Sequence, residues 1–376
     1  MNLLSILLIL AGFVSSFLIS GFLKRYHNFL PDTPCGRSSH STITSRGGGI
    51  SFILPFSTFL LLLISRESAI ENLLFTLLLG GILIGGVGLL DDKFNLPVKP
   101  RLFFQLFFSL FICFFGLSDR ISFFGQMELH GVSARIFQIL WLLSCINIYN
   151  FMDGLDGLAG MQGVFITFIT CVFLFFDSRI IQNSGLSQEI SESLEMLGVT
   201  LLFLSAVISA FLLRNFYPST IFMGDSGSHF LGFILGFLAL AIPDIYYGLN
   251  ITSNYVGNNR LIFLANFGTI AIFLMPFFLD SGLTILRRLH EKKNIFQAHR
   301  GHLYQLLNRN GKSPPWIVGF YFTLNLSLTV PFIFNIVFNK TGFPILFSSI
   351  ILSLHLLLFK FSSARLIKKI QNKDHL

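Results

Sequence analysis

Apolar residues run along this chain in stretches of about twenty, separated by short polar connections. A helix of about 20 apolar residues crosses the hydrocarbon core of a bilayer. Read in order, the runs predict eleven spans: 2–22, 48–65, 69–90, 102–118, 134–152, 160–177, 196–213, 227–243, 261–280, 315–338 and 343–361. The first run lacks a basic start, and its basic flank, Lys24 and Arg25, follows the apolar part. It is therefore expected to stay as a span, not to be cleaved as a leader.

Composition agrees with that pattern: 53% of the 376 residues are hydrophobic, only 12% are charged, and 47 are phenylalanine. This is far from a soluble globular composition. The expected fold class is an all-α polytopic integral membrane protein, one transmembrane domain over 1–376 with no linker or internal repeat. The net charge of +8 is distributed unevenly. With the N-terminus outside, twenty Lys and Arg fall on the inner face against six on the other. Positive residues collect in cytoplasmic loops, so the chain is expected to run N-out, C-in. No soluble basic domain exists to carry nucleic acid, and none is expected as a partner. Cys35, Cys113, Cys145 and Cys171 form no CxxC pair and lie in or beside apolar spans, as buried small hydrophobes do.

Once the spans are oriented, the unusual polar residues gather on one face, in the inner loops of about 23–47, 91–101, 153–160, 214–226 and 281–314. The outer connections, for instance 178–195 and 244–260, are short and polar. Polar groups at membrane depth are costly and are kept mainly where they act. In NIYNFMDGLDGLAG, Asn147, Asn150 and Asp153 are spaced by three, a stripe on a helix, and Asp156 continues it if the helix does. The alternative is helix–helix hydrogen bonding. In GLLDDKFNLPVKPR, Asp91 and Asp92 can face one ligand only if the helix ends there, because neighbours point about 100° apart. Lys99 and Arg101 follow and can meet phosphates, or merely obey the charge rule. In STIFMGDSGS, Asp225 sits among small residues that let a bulky ligand approach the backbone. Phe222 is placed to stack on a base or anchor at the interface, and Asn215 lies on the same loop. RSSHSTITSRGGGIS is a basic, glycine-rich loop of the kind that cradles phosphate. AHRGHLYQLLNRNGK carries His299, Arg300 and His302. The two histidines lack a suitably spaced Cys or acid for zinc, so phosphate contact is the better reading. The preceding LTILRRLHEKK reads as an amphipathic interfacial helix. Carboxylates bind Mg²⁺, with Mn²⁺ as the alternative ion, and cations neutralise charge in phosphoryl transfer. The residues alone thus point to metal-dependent phosphoryl or phospho-sugar chemistry at a membrane face.

LLDDKFNLPVKPR, NIYNFMDGLDGLAG, FMGDSGS and the HRGH loop, in that order, resemble the polyprenyl-phosphate N-acetylhexosamine-1-phosphate transferases. The cell-wall phospho-MurNAc-pentapeptide translocase is a more distant relative, and its PxHHHxE pattern is absent. The resemblance runs from the SSHST…RGGG loop to about Asn310. It implies that a lipid phosphate, usually undecaprenyl phosphate, attacks the β-phosphorus of a UDP-N-acetylsugar and releases UMP, at the bacterial inner membrane with the site facing the cytoplasm. It also implies Asp225 as Mg²⁺ ligand with Asp153, and Asp91 and Asp92 as the catalytic pair. Asn150, Asp153 and Asp156 fall in the nucleotide and catalytic pocket, with Asn147 and Lys99 beside substrate. Phe222 is similar to a uracil-stacking aromatic, Asn215 to a nucleoside-contacting amide, and His299, Arg300 and His302 to a histidine cluster. The HRGHLYQ form is similar to members that start O-antigen with a 6-deoxy N-acetylsugar. N-acetylfucosamine, N-acetylquinovosamine and N-acetylglucosamine all stay open as donors, and a homodimer is one assembly the family allows. A transporter with membrane-embedded carboxylates and a silent assembly scaffold are the rival readings.

Overall fold

The computed structural model describes residues 3–26, 30–32, 44–64, 70–123, 127–184, 188–248, 267–294, 297, 299–338 and 343–374. Cys35, residues 37–43 of the basic Ser/Thr loop and the 249–260 connection lie outside them. The chain is an all-α membrane protein. Ten of the described helices are long and apolar enough to cross a bilayer. The remaining expected span, 315–338, coincides with a helix, Pro314–Phe338, opened by the Pro-Pro pair. Proline is well suited to a first turn, where its missing N–H has no partner to lose.

In chain order the helices are α1 (Leu3–Arg25), α2 (Ile50–Ile64, entered through a 3₁₀ turn at Gly47–Gly49), α3 (Glu71–Phe94), α4 (Val98–Gly116), α5 (Gly131–Phe151), α6 (Leu158–Ser184), α7 (Gln188–Asn215), α8 (Gly224–Gly248), α9 (Phe267–His290), α10 (Leu303–Arg309), α11 (Pro314–Phe338) and α12 (Phe343–Asp374). Two small antiparallel hairpins, Pro31–Asp32 with Thr44–Ser45 and Arg120–Ser122 with Glu128–His130, are the described β structure.

The most apolar-packed helix is α8, 89% buried in its span, against 17% for α1 and 11% for α12. Helix α3 reaches α8 closely because it carries glycines on the contact face. A Cβ at Gly88 would lie 2.2 Å from the Asp225 carbonyl oxygen. On the opposite side α5 is tied to α8 by Trp141, whose Nε1–H donates to the Gly236 carbonyl at 2.9 Å. The ends of α3, α5 and α8 therefore converge at one end of the bundle.

Several helices outrun the expected apolar segments. α3 continues to Phe94 and stops where Asn95 takes the left-handed conformation (φ 46°) and donates its N–H to Asp91 O. α6 and α7 extend through most of the expected 178–195 connection. LTILRRLH is no separate interfacial helix: it is the last turns of α9, which runs unbroken to His290. Cys113, Cys145 and Cys171 are buried and unpaired, as expected.

Candidate active site

The N-terminus of α8 forms the centre of the polar cluster. Gly224 takes φ +77°, and a Cβ there would lie 2.2 Å from the Arg46 carbonyl oxygen. Only glycine fits this turn. The next two N–H groups, of Asp225 and Ser226, donate to the two oxygens of Asp92 at 2.8 and 3.0 Å. A carboxylate at this position satisfies two donors and complements the positive end of the helix dipole. Asp91 lies against the Asp225 side chain as well, and its Oδ2 accepts from Arg101 Nη1 at 2.7 Å. Helix α3 continues past them to Phe94, yet both carboxyls lie near Asp225, each with donors of its own.

The Asn147, Asn150 and Asp153 stripe also separates. Asn150 Nδ2 donates to Asp225 Oδ1 at 2.7 Å and to Ser228 Oγ at 3.0 Å, which fixes the Asp225 side chain. Asn147 Nδ2 donates to Gln105 Oε1 at 2.8 Å, and Gln105 Nε2 lies 3.4 Å from His229 Nε2. Asn147 therefore belongs to a buried polar layer one turn deeper in the bundle. Helix α5 ends at Phe151, so Asp153 sits in the turn beyond it.

That turn is tied down from two sides. Asp156 Oδ2 accepts the Ser219 N–H at 3.0 Å. Asn215 is 4% exposed and bridges two loops: its Oδ1 accepts the Gly157 N–H at 3.2 Å and its Nδ2 donates to Ile221 O at 3.0 Å. Both ends of this amide are engaged by the chain itself. Phe222 is half-buried, its backbone bonded to Ser45 O and to the Gly48 N–H. Lys99 is exposed at the start of α4.

Asp225 lies within electrostatic reach of Asp91, Asp92 and Asp153. Four of the five acids have a donor: Arg101 for Asp91, two N–H groups for Asp92, Ser219 for Asp156 and Asn150 for Asp225. Among the described residues Asp153 receives none. Its recessed position, and then the charges of Asp225, Asp92 and Asp156, push its carboxyl well above the usual carboxylate range.

The histidine loop packs against the same turn. His299 stacks on His302 with ring centroids 4.9 Å apart. Burial, followed by the positive charges of His302, Arg288 and Arg287, lowers the His299 pKa to about 4. His302 is buried at the N-cap of α10, its ring facing Phe151 and Tyr304. Arg300 is half-buried beside it. Tyr304 donates its hydroxyl to Phe151 O at 3.0 Å, which joins α10 to the Asp153 turn.

Sequence reasoning missed the residue that holds this loop in place. Asp280, 1% exposed within α9, accepts the N–H of Leu303 at 2.6 Å and of Tyr304 at 3.3 Å, together with the Tyr321 hydroxyl at 2.6 Å. An acid inside the 261–280 apolar run was the available signal.

Whether these residues suit a divalent cation is a question of donors. Among the described residues no three His, Cys, Asp or Glu side chains already surround one point. The donor chemistry nevertheless fits: hard carboxylate oxygens outnumber nearby cations, and Asp153 and Asp225 adjoin with lone pairs to offer.

Comparison with known proteins bears on the same region. The sequence model described as Glycosyl transferase family 4 matches residues 74–242, from α3 through α8. The chain is 26% identical over 306 residues to a probable undecaprenyl-phosphate N-acetylglucosaminyl 1-phosphate transferase of Bacillus subtilis (strain 168), covering 78% of this chain and 75% of the relative. It is 27% identical over 300 residues to the decaprenyl-phosphate N-acetylglucosaminephosphotransferase of Mycobacterium leprae, with 74% and 70% covered. It is 30% identical over 253 residues to a phospho-N-acetylmuramoyl-pentapeptide-transferase of Prochlorococcus marinus, with 63% and 68% covered.

Proposed function

We propose that this chain, which belongs to glycosyl transferase family 4, transfers an N-acetylhexosamine 1-phosphate from a UDP-N-acetylsugar to a polyprenyl phosphate, releasing UMP. The observation that carries the reading is the acidic cluster at the N-terminus of α8, in which Asp225 is oriented by Asn150 and Asp153 has no donor among the described residues. The relatives' names supply the substrate classes: a polyprenyl phosphate and an N-acetylated amino sugar.

In this reading an oxygen of the acceptor phosphate forms a bond to the β-phosphorus of the donor. The bond from that phosphorus to the bridging oxygen breaks, and UMP takes the electron pair. Arg101 turns from Asp91 toward the arriving phosphate, and Asp91 Oδ1, the oxygen not held by Arg101, accepts the acceptor's proton. Asp153 and Asp225 would hold Mg²⁺, or Mn²⁺, which when bound neutralises charge on the diphosphate. Asp92 keeps the α8 N-terminus, and hence Asp225, at a fixed depth. Asp156 and Asn215 fix the loop that offers Phe222 to the uracil. His299, neutral near pH 7, donates or accepts a hydrogen bond at the sugar or phosphate, while Arg300 and Lys99 supply charge.

The HRGH loop favours a 6-deoxy donor, N-acetylfucosamine or N-acetylquinovosamine, and hence a product that starts O-antigen or a related envelope polysaccharide. N-acetylglucosamine remains the donor to compare. The Lys and Arg asymmetry supports an N-out, C-in chain in a bacterial inner membrane, with the site facing the cytoplasm. The rival transporter reading is disfavoured because the acids lie at helix ends near one face, whereas transporter sites usually lie at the midplane.

The test is a transfer assay in detergent with undecaprenyl phosphate, Mg²⁺ and a panel of UDP-N-acetylsugars. Lipid-linked product and UMP from one donor, abolished by chelator and by Asp225→Ala, is the expected outcome. A folded protein that yields no UMP with any donor, or an Asp225→Ala variant that transfers at the normal rate, would sink the assignment.

A further inference from the structure

Away from the acidic cluster, where the end of α1 meets the end of α7, lies a pocket of about 690 Å³. None of the acidic residues lines it, and three cations do: Lys24, Arg25 and Arg214. Lys24 and Arg25 occupy the last turn of α1, where positive charge complements the helix dipole and obeys the topogenic rule. Arg214 is different, because it comes from another helix and is fixed in place. Its Nε donates to Ser20 Oγ at 3.2 Å, and its guanidinium lies 4.0 Å from the Phe17 ring centroid. A Cβ at position 21 would lie 2.9 Å from Arg214 Nη2, so Gly21 lets the guanidinium lie flat along α1. The recess is thus a preorganised cationic site, and among the described residues no carboxylate lines it.

The remaining walls indicate how a ligand arrives. Leu18 is 64% exposed and Phe22 58% exposed on a helix only 17% buried by protein. That surface faces acyl chains. Tyr26, also 58% exposed, stands beside Phe22 with ring centroids 4.4 Å apart, as an amphipathic aromatic does at a membrane–water boundary. The pocket is apolar toward the bilayer and cationic toward its end. That order matches a molecule with acyl chains and a phosphate headgroup, and it does not suit a soluble anion. Basic pockets between membrane helices are known to hold such headgroups.

We propose that this pocket binds the headgroup of an anionic phospholipid, at a site separate from the one that carries the acidic cluster. Arg214 links it to that cluster, because its carbonyl oxygen accepts the Thr220 N–H at 2.8 Å and the next residue is the bridging Asn215. A bound headgroup holds α1 against α7 and thereby steadies the loop that presents Phe222.

The experiment uses the full chain in detergent, with native mass spectrometry and thermal unfolding as readouts. The probes are phosphatidylglycerol, phosphatidylcholine with the same acyl chains, and inorganic phosphate. Phosphatidylglycerol is expected to be retained and to raise the unfolding temperature, and phosphatidylcholine is not. Arg214→Gln weakens retention about fivefold, from ~1 kcal/mol per basic residue at an anionic surface. The double variant Lys24→Gln/Arg25→Gln, at exposed positions that leave the fold intact, weakens it about 25-fold by the same rule. Equal retention of the two lipids would overturn the proposal, as would folded variants that hold phosphatidylglycerol like the native chain. Displacement of the lipid by millimolar inorganic phosphate would overturn it in favour of a soluble anion. A raised KM for polyprenyl phosphate in the double variant, with phosphatidylglycerol binding unchanged, would also overturn it, by making the pocket a vestibule for the acceptor.

Discussion

Asp280 offers a direct test of how the histidine loop is positioned. Its carboxylate accepts three hydrogen bonds, from the Leu303 and Tyr304 N–H groups and from the Tyr321 hydroxyl, and it is almost completely buried. Hydrogen bonds to charged groups contribute about 1.5–3 kcal/mol each. In Asp280→Asn one oxygen still serves the Leu303 N–H, and Tyr321 can rotate to accept from the new amide. The Tyr304 N–H faces that amide instead of an acceptor, and the negative charge at the α10 N-terminus is lost. One charge-assisted bond plus the dipole contribution gives a destabilisation of about 2–4 kcal/mol. The loss concentrates on α10, because a helix of seven residues has little stability of its own. His299 and Arg300 then lose their fixed position relative to the Asp153 turn. A displacement on the order of 1 Å reduces a transfer rate by about 10²-fold. Tyr321→Phe is the control: it removes one bond to Asp280 and leaves the α10 N–H groups satisfied, costing about 1–2 kcal/mol of stability with a native transfer rate. Thermal unfolding in detergent and initial rates at saturating donor measure the two quantities. An Asp280→Asn protein that transfers at the native rate would refute the argument, whatever its stability.

Other variants separate roles that the sequence leaves adjacent. Asp92→Asn loses one of its two acceptors at the α8 N-terminus and should cost about 1–3 kcal/mol of stability as well as rate. Asp91→Asn keeps an oxygen for Arg101 and removes a charge that lies against Asp225, so it should keep stability within about 1 kcal/mol and lose rate alone. Equal melting temperatures for the two would contradict the geometry. Gly88→Ala places a methyl against the Asp225 backbone, which cannot swing aside, so α3 and α8 must part. A loss of about 1–3 kcal/mol and a lower melting temperature are expected, and a native-like variant would refute that contact. The His299 pKa is lowered to about 4, so the folded state resists the proton that the unfolded chain accepts near 6.5. Stability is therefore full above 6.5 and declines as pH falls from there toward 4. His299→Gln should lessen that decline, shifting the acid-unfolding midpoint downward in a fluorescence titration.

Much of this was legible in the sequence because a bilayer imposes one strong rule on composition. Twenty-residue apolar runs had to be helices, and the acids had to gather where those runs stop. Helix ends were harder, since apolarity reports the membrane boundary and hydrogen bonding reports the helix. In α3 the two differ by four residues, so Asp91 and Asp92 sit within the helix and take different donors while both lie near Asp225. The same mismatch led to a separate interfacial helix being expected where α9 simply continues to His290. Pairings across the chain left no local trace. The separation of 133 positions between Asp92 and Asp225 carries no pattern that foretells a cap of one helix by another. Asp280 was visible as an acid in an apolar run, but its use depends on α10, whose seven residues are too few for periodicity to reveal.

The arrangement of the acids explains why the cluster tolerates its own charge. Five carboxylates in one recess would repel strongly without donors. The chain supplies donors from four separate sources, Arg101 on α4, the backbone of α8, the backbone at Ser219, and the Asn150 amide on α5. Each bond fixes a different element, so the electrostatic problem and the positioning problem have one solution. Asp153 is left out of that solution, on the turn between α5 and α6, with three other acids raising the cost of its charge. A group in that state gains most from whatever arrives with positive charge or a proton. In the proposed reaction the cation would arrive at the carboxyl for which, among the described residues, the protein provides no donor.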